Sequence, residues 1–491
     1  MQTLLNSKKL YFSGAIILYV LFLYLILDMG LQLHLFVLMA ACIVIVFGIR
    51  YPVFGLLFAF AAMNSFFNLI PRQLLSGTFV NKTWDFGFFL MIIVGSFLFI
   101  KDYRKMENIP FYLKIFVLFL SVCFISFFLT VVKYDFPLID TIRSFRYYLG
   151  YLFIPFLLQY FLQAKDEGKV LNINKFLNAL YVISFILLLL YNFQFLIQTP
   201  LFLGYSSSYS TSYGSSYIRS IPNFLFICYF FLWFNLAAWL TDKKMFPIGI
   251  LYIILCVSAT LFTFTRGLYI SVSFSIILLF ILMVRSKKYN TANIIIACFI
   301  GIILFSTALV PGYLKPFTSR ASTITESISH KHRGSTFWYR IGLIEDRIRL
   351  INKENPLMGL GFVHNKYGYK FGSFRGNYDE NIAGPGLGCA DIAWGNIIYQ
   401  TGWIGFGCFV FFIVSILYYL FVNFKKGSFT SNINKIVMLE IASVIELLRM
   451  ILYTMNSSIY TSFTQNVALI FAIGSYAYML QFTNRKRVDE K

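Results

Sequence analysis

Charged residues are scarce in this chain. Only 12% of its 491 residues are Asp, Glu, Lys or Arg, whereas soluble domains carry about 25%. Acidic residues are the scarcer kind, with 20 against 41 basic residues. This shortage of charge excludes a soluble protein made of two ordinary domains. The 59% hydrophobic content instead predicts an all-α polytopic membrane protein.

Two kinds of site have no support in the sequence. The seven cysteines are scattered without a CxxC pair, and within apolar runs a lone cysteine is usually a small hydrophobic residue. His330, His332 and His364 have no second group of ligands at the spacing of a metal site. We therefore expect neither a metal nor a cofactor.

Fourteen apolar runs approach the roughly 20 residues that a helix needs to cross a membrane. They are residues 10–27, 31–49, 52–70, 84–100, 111–132, 147–163, 175–197, 222–240, 247–264, 267–284, 292–311, 397–422, 434–455 and 463–481. Because some runs are short, the prediction is 12–14 transmembrane helices. Nearly all compact basic clusters then fall on one side, which predicts that both termini are cytoplasmic. The net charge of +21 reflects this topology and attraction to anionic lipid, so no nucleic-acid partner is expected.

One long polar segment interrupts the apolar pattern, and the same topology places it outside the cytoplasm. The predicted parts are an N-terminal transmembrane bundle (1–311), an extracytoplasmic loop or lid (312–396), and C-terminal transmembrane helices with a basic cytoplasmic tail (397–491). Within the loop, helical spacing predicts an amphipathic helix, whose apolar positions are Phe337, Ile341, Ile344, Ile348 and Ile351. Asn355-Pro356 ends this helix, and Gly359-Leu360-Gly361 forms a turn.

Two shorter outer loops carry arginines that suit an anionic substrate. Residues 133–146 contain Arg143 and Arg146. Residues 204–221 are rich in Ser and Tyr and contain Arg219. We interpret this second segment as a flexible loop, with a platform of hydroxyls and aromatic faces for a sugar as the alternative.

Three further residues are candidates for chemistry, each with a plainer alternative. Arg266 lies with Thr263 and Thr265 at a tight connection, where a guanidinium beside hydroxyl and backbone donors suits a phosphate; the alternative is a snorkelling arginine. Arg340 lies on the predicted amphipathic helix, where the alternative is a solvated charge like those of Arg347 and Arg349. Asp391 stands where the chain re-enters the membrane, and its alternative role is a helix cap.

Arg449 lies within an apolar run, three residues after Glu446. At this spacing the two side chains share one helix face and can form an ion pair. Ionisable residues inside a membrane are functional candidates by default. A structural pair facing the bundle and a functional site therefore both remain open from the sequence.

The order of these motifs resembles the Wzy polymerase and O-antigen ligase superfamily over about residues 255–410. The resemblance rests on Thr265-Arg266-Gly267, on Tyr339-Arg340, on residues 355–362 (NPLMGLGF), and on Asn396 followed by Gly402-Trp403-Ile404-Gly405. It implies a glycosyltransferase of the bacterial cytoplasmic membrane, with its active site on the extracytoplasmic face. It also implies an undecaprenyl-diphosphate-linked glycan donor and acceptor, contact with membrane lipids, and a chain-length regulator and a flippase as candidate partners.

The resemblance also implies roles for individual residues. Arg266 and Arg340 would hold the donor diphosphate, and Asp391 would take the proton from the acceptor hydroxyl in an inverting reaction. The expected substrate-binding residues are Arg143, Arg146, Arg219, Asn396 and Arg449. Ligases usually carry a histidine in the place of Asp391, so we predict a polymerase. The alternatives are a ligase that transfers a finished glycan and a non-enzymatic transporter or flippase of lipid-linked sugar.

Overall fold

Helices make up most of the fold, because long apolar segments in lipid satisfy their backbone polar groups internally as helices. In the computed structural model, the described residues are 43, 45–69, 83–101, 103–163, 169–199, 201–202, 208–210, 217–219, 224–241, 243–263, 266–285, 336–371, 393–425, 435–454 and 460–489. The α-helices are α1 (Pro52–Met63), α2 (Thr83–Lys101), α3 (Phe111–Tyr134), α4 (Leu138–Phe145), α5 (Phe153–Leu162), α6 (Lys169–Ile197), α7 (Leu225–Leu240), α8 (Gly249–Phe262), α9 (Arg266–Arg285), α10 (Thr336–Glu354), α11 (Ala393–Lys425), α12 (Lys435–Thr454) and α13 (Tyr460–Asp489). Short 3-10 helices span Ser65–Asn68, Arg146–Leu152 and Asn365–Phe371.

A small hairpin is the one departure from the all-α prediction within the described residues. Strands β1 (Ser208–Ser210) and β2 (Tyr217–Arg219) pair antiparallel, with Ser208 opposite Arg219. They lie in the Ser/Tyr-rich segment that was predicted to be a loop. Tyrosine favours strands, so the alternating Ser and Tyr residues at 208–210 were a signal for this pairing.

The apolar helices agree with the prediction of a membrane protein. Three of those described are long and apolar enough to cross a membrane, over Phe111–Tyr134, Asn172–Ile197 and Ala393–Leu420. Shorter apolar helices also coincide with predicted runs: Pro52–Met63, Gly87–Lys101, Tyr148–Leu162, Leu225–Leu240, Gly249–Phe262, Ser271–Leu282 and Asn466–Gln481. The runs 10–27 and 292–311, and most of 31–49, lie outside the described residues, so the number of crossings stays a prediction.

Helices α7 and α12 form the centre of the bundle. Residues 437–451 of α12 are all buried, as are most residues of α7, which is typical of helices that are surrounded by others. Helix α12 packs against α7, α9 and α13. The part of α12 that carries Glu446 and Arg449 therefore lies in the core of the protein.

The described part of the polar segment packs onto the bundle through α10. Its range, Thr336–Glu354, confirms the predicted helix and its end before Asn355-Pro356. The buried face differs from the prediction, since Leu343, Leu350 and Ile351 are buried while Ile344 and Ile348 are only partly so. Helix α10 packs against α11. The division into parts at 311 and 396 stays a prediction.

Candidate functional site

Helix α11 is interrupted at Gly402, close to the polar segment. The backbone of Gly402 has φ 62° and ψ −163°, a conformation that is essentially restricted to glycine. Backbone groups on both sides of Gly402 bond to the turn that follows α10. These bonds join Leu360 N–H to Tyr399 O (2.7 Å), Gly361 N–H to Gln400 O (3.1 Å), Trp403 N–H to Pro356 O (2.9 Å) and Ile404 N–H to Leu357 O (3.1 Å). We call this arrangement, formed by residues 355–362 and 399–404, the clasp.

The clasp requires glycine on both partners because their backbones approach closely. Gly359 and Gly361 have φ 68° and 75°, in the region that favours glycine. A Cβ on Gly359 would lie 2.5 Å from Tyr399 O and 2.6 Å from Gly402 N. The motif glycines noted in the sequence are therefore explained by a contact between two segments that lie about forty residues apart.

Helix α3 holds the turn from its other side. Ser126 Oγ donates to Met358 O over 3.2 Å. The Phe362 N–H donates to Thr130 Oγ1 over 2.8 Å, while Thr130 Oγ1 donates to Ser126 O within α3. The turn is thus fixed between α3 and α11, which stabilises the position of the polar segment against the bundle.

Arg347 is a candidate functional residue that the sequence reasoning missed. It was grouped with Arg349 as a solvated charge, and Arg349 is indeed exposed. The side chain of Arg347, however, is 0% exposed. The sequence did contain a signal for this burial. Arg347 lies four residues after Leu343 and four before Ile351, and residues four apart share one face of a helix.

Arg143 and Arg146 lie on helical structure, in α4 and at the start of the following 3-10 helix, rather than in the loop predicted for residues 133–146, and α4 contacts the polar segment. Asp140 Oδ1 lies 3.2 Å from Arg143 Nη1, with the Arg143 side chain 58% exposed and that of Asp140 7% exposed. Tyr367 Oη donates to Asp140 Oδ2 over 2.8 Å. Arg143 therefore faces solvent beside the docked segment, while Arg146 begins the 3-10 helix Arg146–Leu152 and is partly buried.

Asn396 lies on a buried polar face of α11. It is 0% exposed, and Gln400 follows one turn later on the same face. Tyr148 Oη donates to Gln400 Oε1 over 3.1 Å, and Gln400 Nε2 donates to Tyr399 Oη over 3.3 Å. Gln400, one turn after Asn396, thus contacts the 3-10 helix that Arg146 begins.

Arg266 is the first residue of α9, shortly after α8 ends at Phe262. The predicted tight connection is thus confirmed, and it places Arg266 at a helix N-terminus, where the helix dipole and free N–H groups favour an anion. Thr263 does not present its hydroxyl there, because it is buried and donates to Thr260 O over 2.7 Å. Asp391 lies outside the described residues, two positions before α11 begins.

Several of the elements that carry these residues begin or end at the same end of the bundle. Tyr229 near the start of α7 bonds to Thr260 near the end of α8, and Arg449 near the end of α12 lies over the Tyr229 ring. Helices α11 and α12 pack together and are joined by a short connection, so they run antiparallel. The start of α9 and the clasp therefore lie at the same end. Arg340 on α10 and Arg219 on β2 belong to elements that connect there.

Arg449 forms a buried ion pair with Glu446. Its Nη2 lies 2.6 Å from Glu446 Oε1 and its Nε donates to Glu446 Oε2 over 2.8 Å. Trp233 Nε1 donates to the same Oε2 over 2.8 Å. Both charged side chains are 0% exposed. The predicted pairing on one helix face is present, and the substrate-binding role of Arg449 stays a prediction.

Comparison with known proteins finds one family match. The family model described as O-antigen ligase matches residues 251–410, nearly the range over which the sequence motifs were recognised. The match therefore confirms the resemblance to the O-antigen ligase and Wzy superfamily over these residues. It supports a membrane enzyme of the ligase or polymerase type in polysaccharide biosynthesis. A search of curated proteins finds no match.

Proposed function

We propose that this protein is a membrane glycosyltransferase that polymerises undecaprenyl-diphosphate-linked oligosaccharide repeat units into a surface polysaccharide. The observation that carries the proposal is the position of the family match. It begins in α8 and ends in α11, so it contains Arg266, Arg340, the whole clasp and Asp391. The clasp holds residues 355–362 of the polar segment against α11, at the same end of the bundle as the start of α9. The reaction would take place there, on the extracytoplasmic face of the bacterial cytoplasmic membrane.

In this proposal Arg266 and Arg340 bind the donor diphosphate. The glycosidic bond between the anomeric carbon and the diphosphate oxygen breaks as the polymer bond forms, and undecaprenyl diphosphate leaves with additional negative charge. Guanidinium groups stabilise such charge through bidentate hydrogen bonds. The N-terminus of α9 adds a positive dipole at the position of Arg266. No metal or nucleotide is required in this scheme, because the donor already carries its leaving group.

Asp391 is the proposed general base. The acceptor hydroxyl attacks the anomeric carbon opposite the leaving diphosphate and loses its proton to the Asp391 carboxylate, so the anomeric centre inverts. Asn396 lies on the same stretch of chain, five residues later, and is proposed to orient the sugar with Arg143, Arg146 and Arg219. Arg143 is suited to this because its guanidinium faces solvent beside the docked polar segment.

A ligase is the second candidate, because the matching family model is described as O-antigen ligase. A ligase would use the same diphosphate donor but a different acceptor. Asp391 stands where ligases usually carry histidine, and this departure favours the polymerase. A lipid-linked sugar transporter would bind the same donor without breaking the glycosidic bond.

The residue roles are tested with the variants Arg266→Ala, Arg340→Ala and Asp391→Asn. We expect each to lower polymer formation at least about a hundredfold, which is typical of the loss of one charge-stabilising donor or one general base. Arg349→Ala is the control for Arg340→Ala, since Arg349 is exposed on the same helix. Membrane-embedded protein with normal unfolding temperature but no polymer supports the roles. Normal polymer from Asp391→Asn would remove the aspartate from the mechanism.

A further inference from the structure

A buried chain of contacts leads from the Glu446–Arg449 ion pair to the start of α9. We propose that Arg449 and Tyr229 are positioning residues, which set where the α9 backbone begins and hence where Arg266 is presented. The inference rests on the proposed function, because it assumes that Arg266 binds the donor diphosphate. It assigns a role to ionised groups that the proposed mechanism leaves unused.

The first link joins Arg449 to the aromatic rings of α7. The guanidinium carbon of Arg449 lies 4.1 Å from the centre of the Tyr229 ring and 5.2 Å from that of Phe226. Such a distance is typical of a cation–π contact, which is strongest where water is excluded. Glu446 accepts two hydrogen bonds from the guanidinium, and Trp233 in turn fixes the Glu446 carboxylate by donating to its Oε2. The Tyr229 ring therefore has one well-defined position.

The second link joins Tyr229 to the end of α8. Tyr229 Oη lies 2.9 Å from Thr260 Oγ1. The Thr260 hydroxyl donates its own hydrogen to Cys256 O over 2.8 Å, so the Tyr229 hydroxyl is the donor in their shared bond. Both residues are buried, where a hydrogen bond to a fixed partner positions the groups it joins.

The third link joins Thr260 to the turn. The Thr260 carbonyl accepts from Thr263 Oγ1 over 2.7 Å and from the Thr263 N–H over 3.2 Å. Helix α8 ends at Phe262 and α9 begins at Arg266. Three successive polar contacts thus connect the ion pair to the connection that carries Arg266.

The chemistry of the pair favours positioning over stabilisation. A buried ion pair contributes little net stability, because its desolvation cost offsets its attraction, and apolar residues of similar volume often serve as well. What the pair and its ring contacts provide is a fixed geometry. A second buried tyrosine offers the matched comparison: Tyr252 Oη donates to Ser184 Oγ over 2.9 Å, in the same bundle but outside the contact chain that leads to the turn.

The test compares Tyr229→Phe with Tyr252→Phe in purified full-length protein. Each variant removes the hydroxyl of one buried, hydrogen-bonded tyrosine, so both unfolding temperatures should fall. We expect Tyr229→Phe to weaken binding of undecaprenyl diphosphate about fivefold, the effect of one hydrogen bond, and Tyr252→Phe to leave it within about twofold. Thr260→Val should weaken diphosphate binding as much as Tyr229→Phe does. Thr260→Ser keeps the hydroxyl and should bind undecaprenyl diphosphate like the wild type.

A second measurement shows whether the effect passes through Arg266. In an Arg266→Lys background, Tyr229→Phe should cause no further loss of diphosphate binding, because coupled residues are not additive. Equal effects of the two tyrosine variants, or full additivity with Arg266→Lys, would overturn the inference. If Arg266→Ala itself binds undecaprenyl diphosphate normally, the proposed role of Arg266 fails as well. Weak binding by Arg266→Ala with normal binding by Tyr229→Phe rejects the positioning role alone.

Discussion

Replacing Gly402 by alanine tests the clasp most severely. Gly402 has φ 62° and ψ −163°, and holding a residue other than glycine in this region costs about 1–3 kcal/mol. A Cβ on Gly402 would also lie 2.6 Å from the carbonyl carbon of Leu357 and closer still to the Gly359 nitrogen. Because both contacts are to backbone, the turn and α11 must separate.

This separation removes hydrogen bonds between the turn and α11. Each contributes about 1 kcal/mol net, so the loss of two bonds adds about 2 kcal/mol to the backbone strain. The expected cost of Gly402→Ala is therefore roughly 3–5 kcal/mol. Gly407→Ala is the matched control in the same helix, since an added Cβ there meets no atom within 4 Å. Alanine in place of glycine within a helix stabilises it by up to about 1 kcal/mol.

Both variants are compared with the wild type by thermal unfolding in detergent and by product formation from the lipid-linked oligosaccharide. We expect Gly402→Ala to lower the unfolding midpoint and to reduce product, because residues 355–362 are no longer held against α11 at the end of the bundle where α9 begins. Gly407→Ala should match or exceed the wild-type midpoint and keep full activity. The same midpoint and activity for both variants would refute the clasp as a structural requirement.

Two further predictions concern the buried charges at Arg347 and at the Glu446–Arg449 pair. Arg347→Ala leaves a cavity under α10 and should cost about 2–5 kcal/mol, whereas Arg349→Ala, at an exposed position, should stay within about 0.5 kcal/mol; equal unfolding midpoints would contradict the burial of Arg347. Glu446→Gln leaves the Arg449 charge without its counter-ion and should cost about 3–5 kcal/mol. The double variant Glu446→Leu with Arg449→Met leaves no unpaired charge and should unfold at a higher temperature than Glu446→Gln. A lower unfolding temperature for the double variant would contradict the buried ion pair.

Local patterns in the sequence predicted the helices well. Helix α10 was predicted from its apolar spacing, and its end at Glu354 from Asn355-Pro356, because a proline disfavours helix in the residue before it. The tight connection before Arg266 was likewise predicted from the boundary between two apolar runs. These features depend on neighbouring residues alone, so a single sequence contains the information for them.

Contacts between distant segments were not predictable in the same way. The break at Gly402 follows from its partner turn at residues 355–361, and nothing in the local sequence of α11 distinguishes Gly402 from Gly405 or Gly407. The bond from Tyr367 to Asp140 likewise joins two short helices that lie far apart in the sequence, and the sequence gives no distance between them. The burial of Arg347 depends on which face of α10 meets α11, and that choice is made by tertiary packing.

The central claim is that the end of the bundle around the clasp catalyses glycosyl transfer from a polyprenyl diphosphate. The most direct measurement is incubation of the purified protein in detergent or vesicles with an undecaprenyl-diphosphate oligosaccharide, followed by separation of the products by length. We predict a ladder of products that lengthen by whole repeat units, with undecaprenyl diphosphate released at each step. Transfer of one finished glycan to a different acceptor would identify a ligase instead. Binding of the donor with no glycosidic bond broken would contradict the account and indicate a transporter.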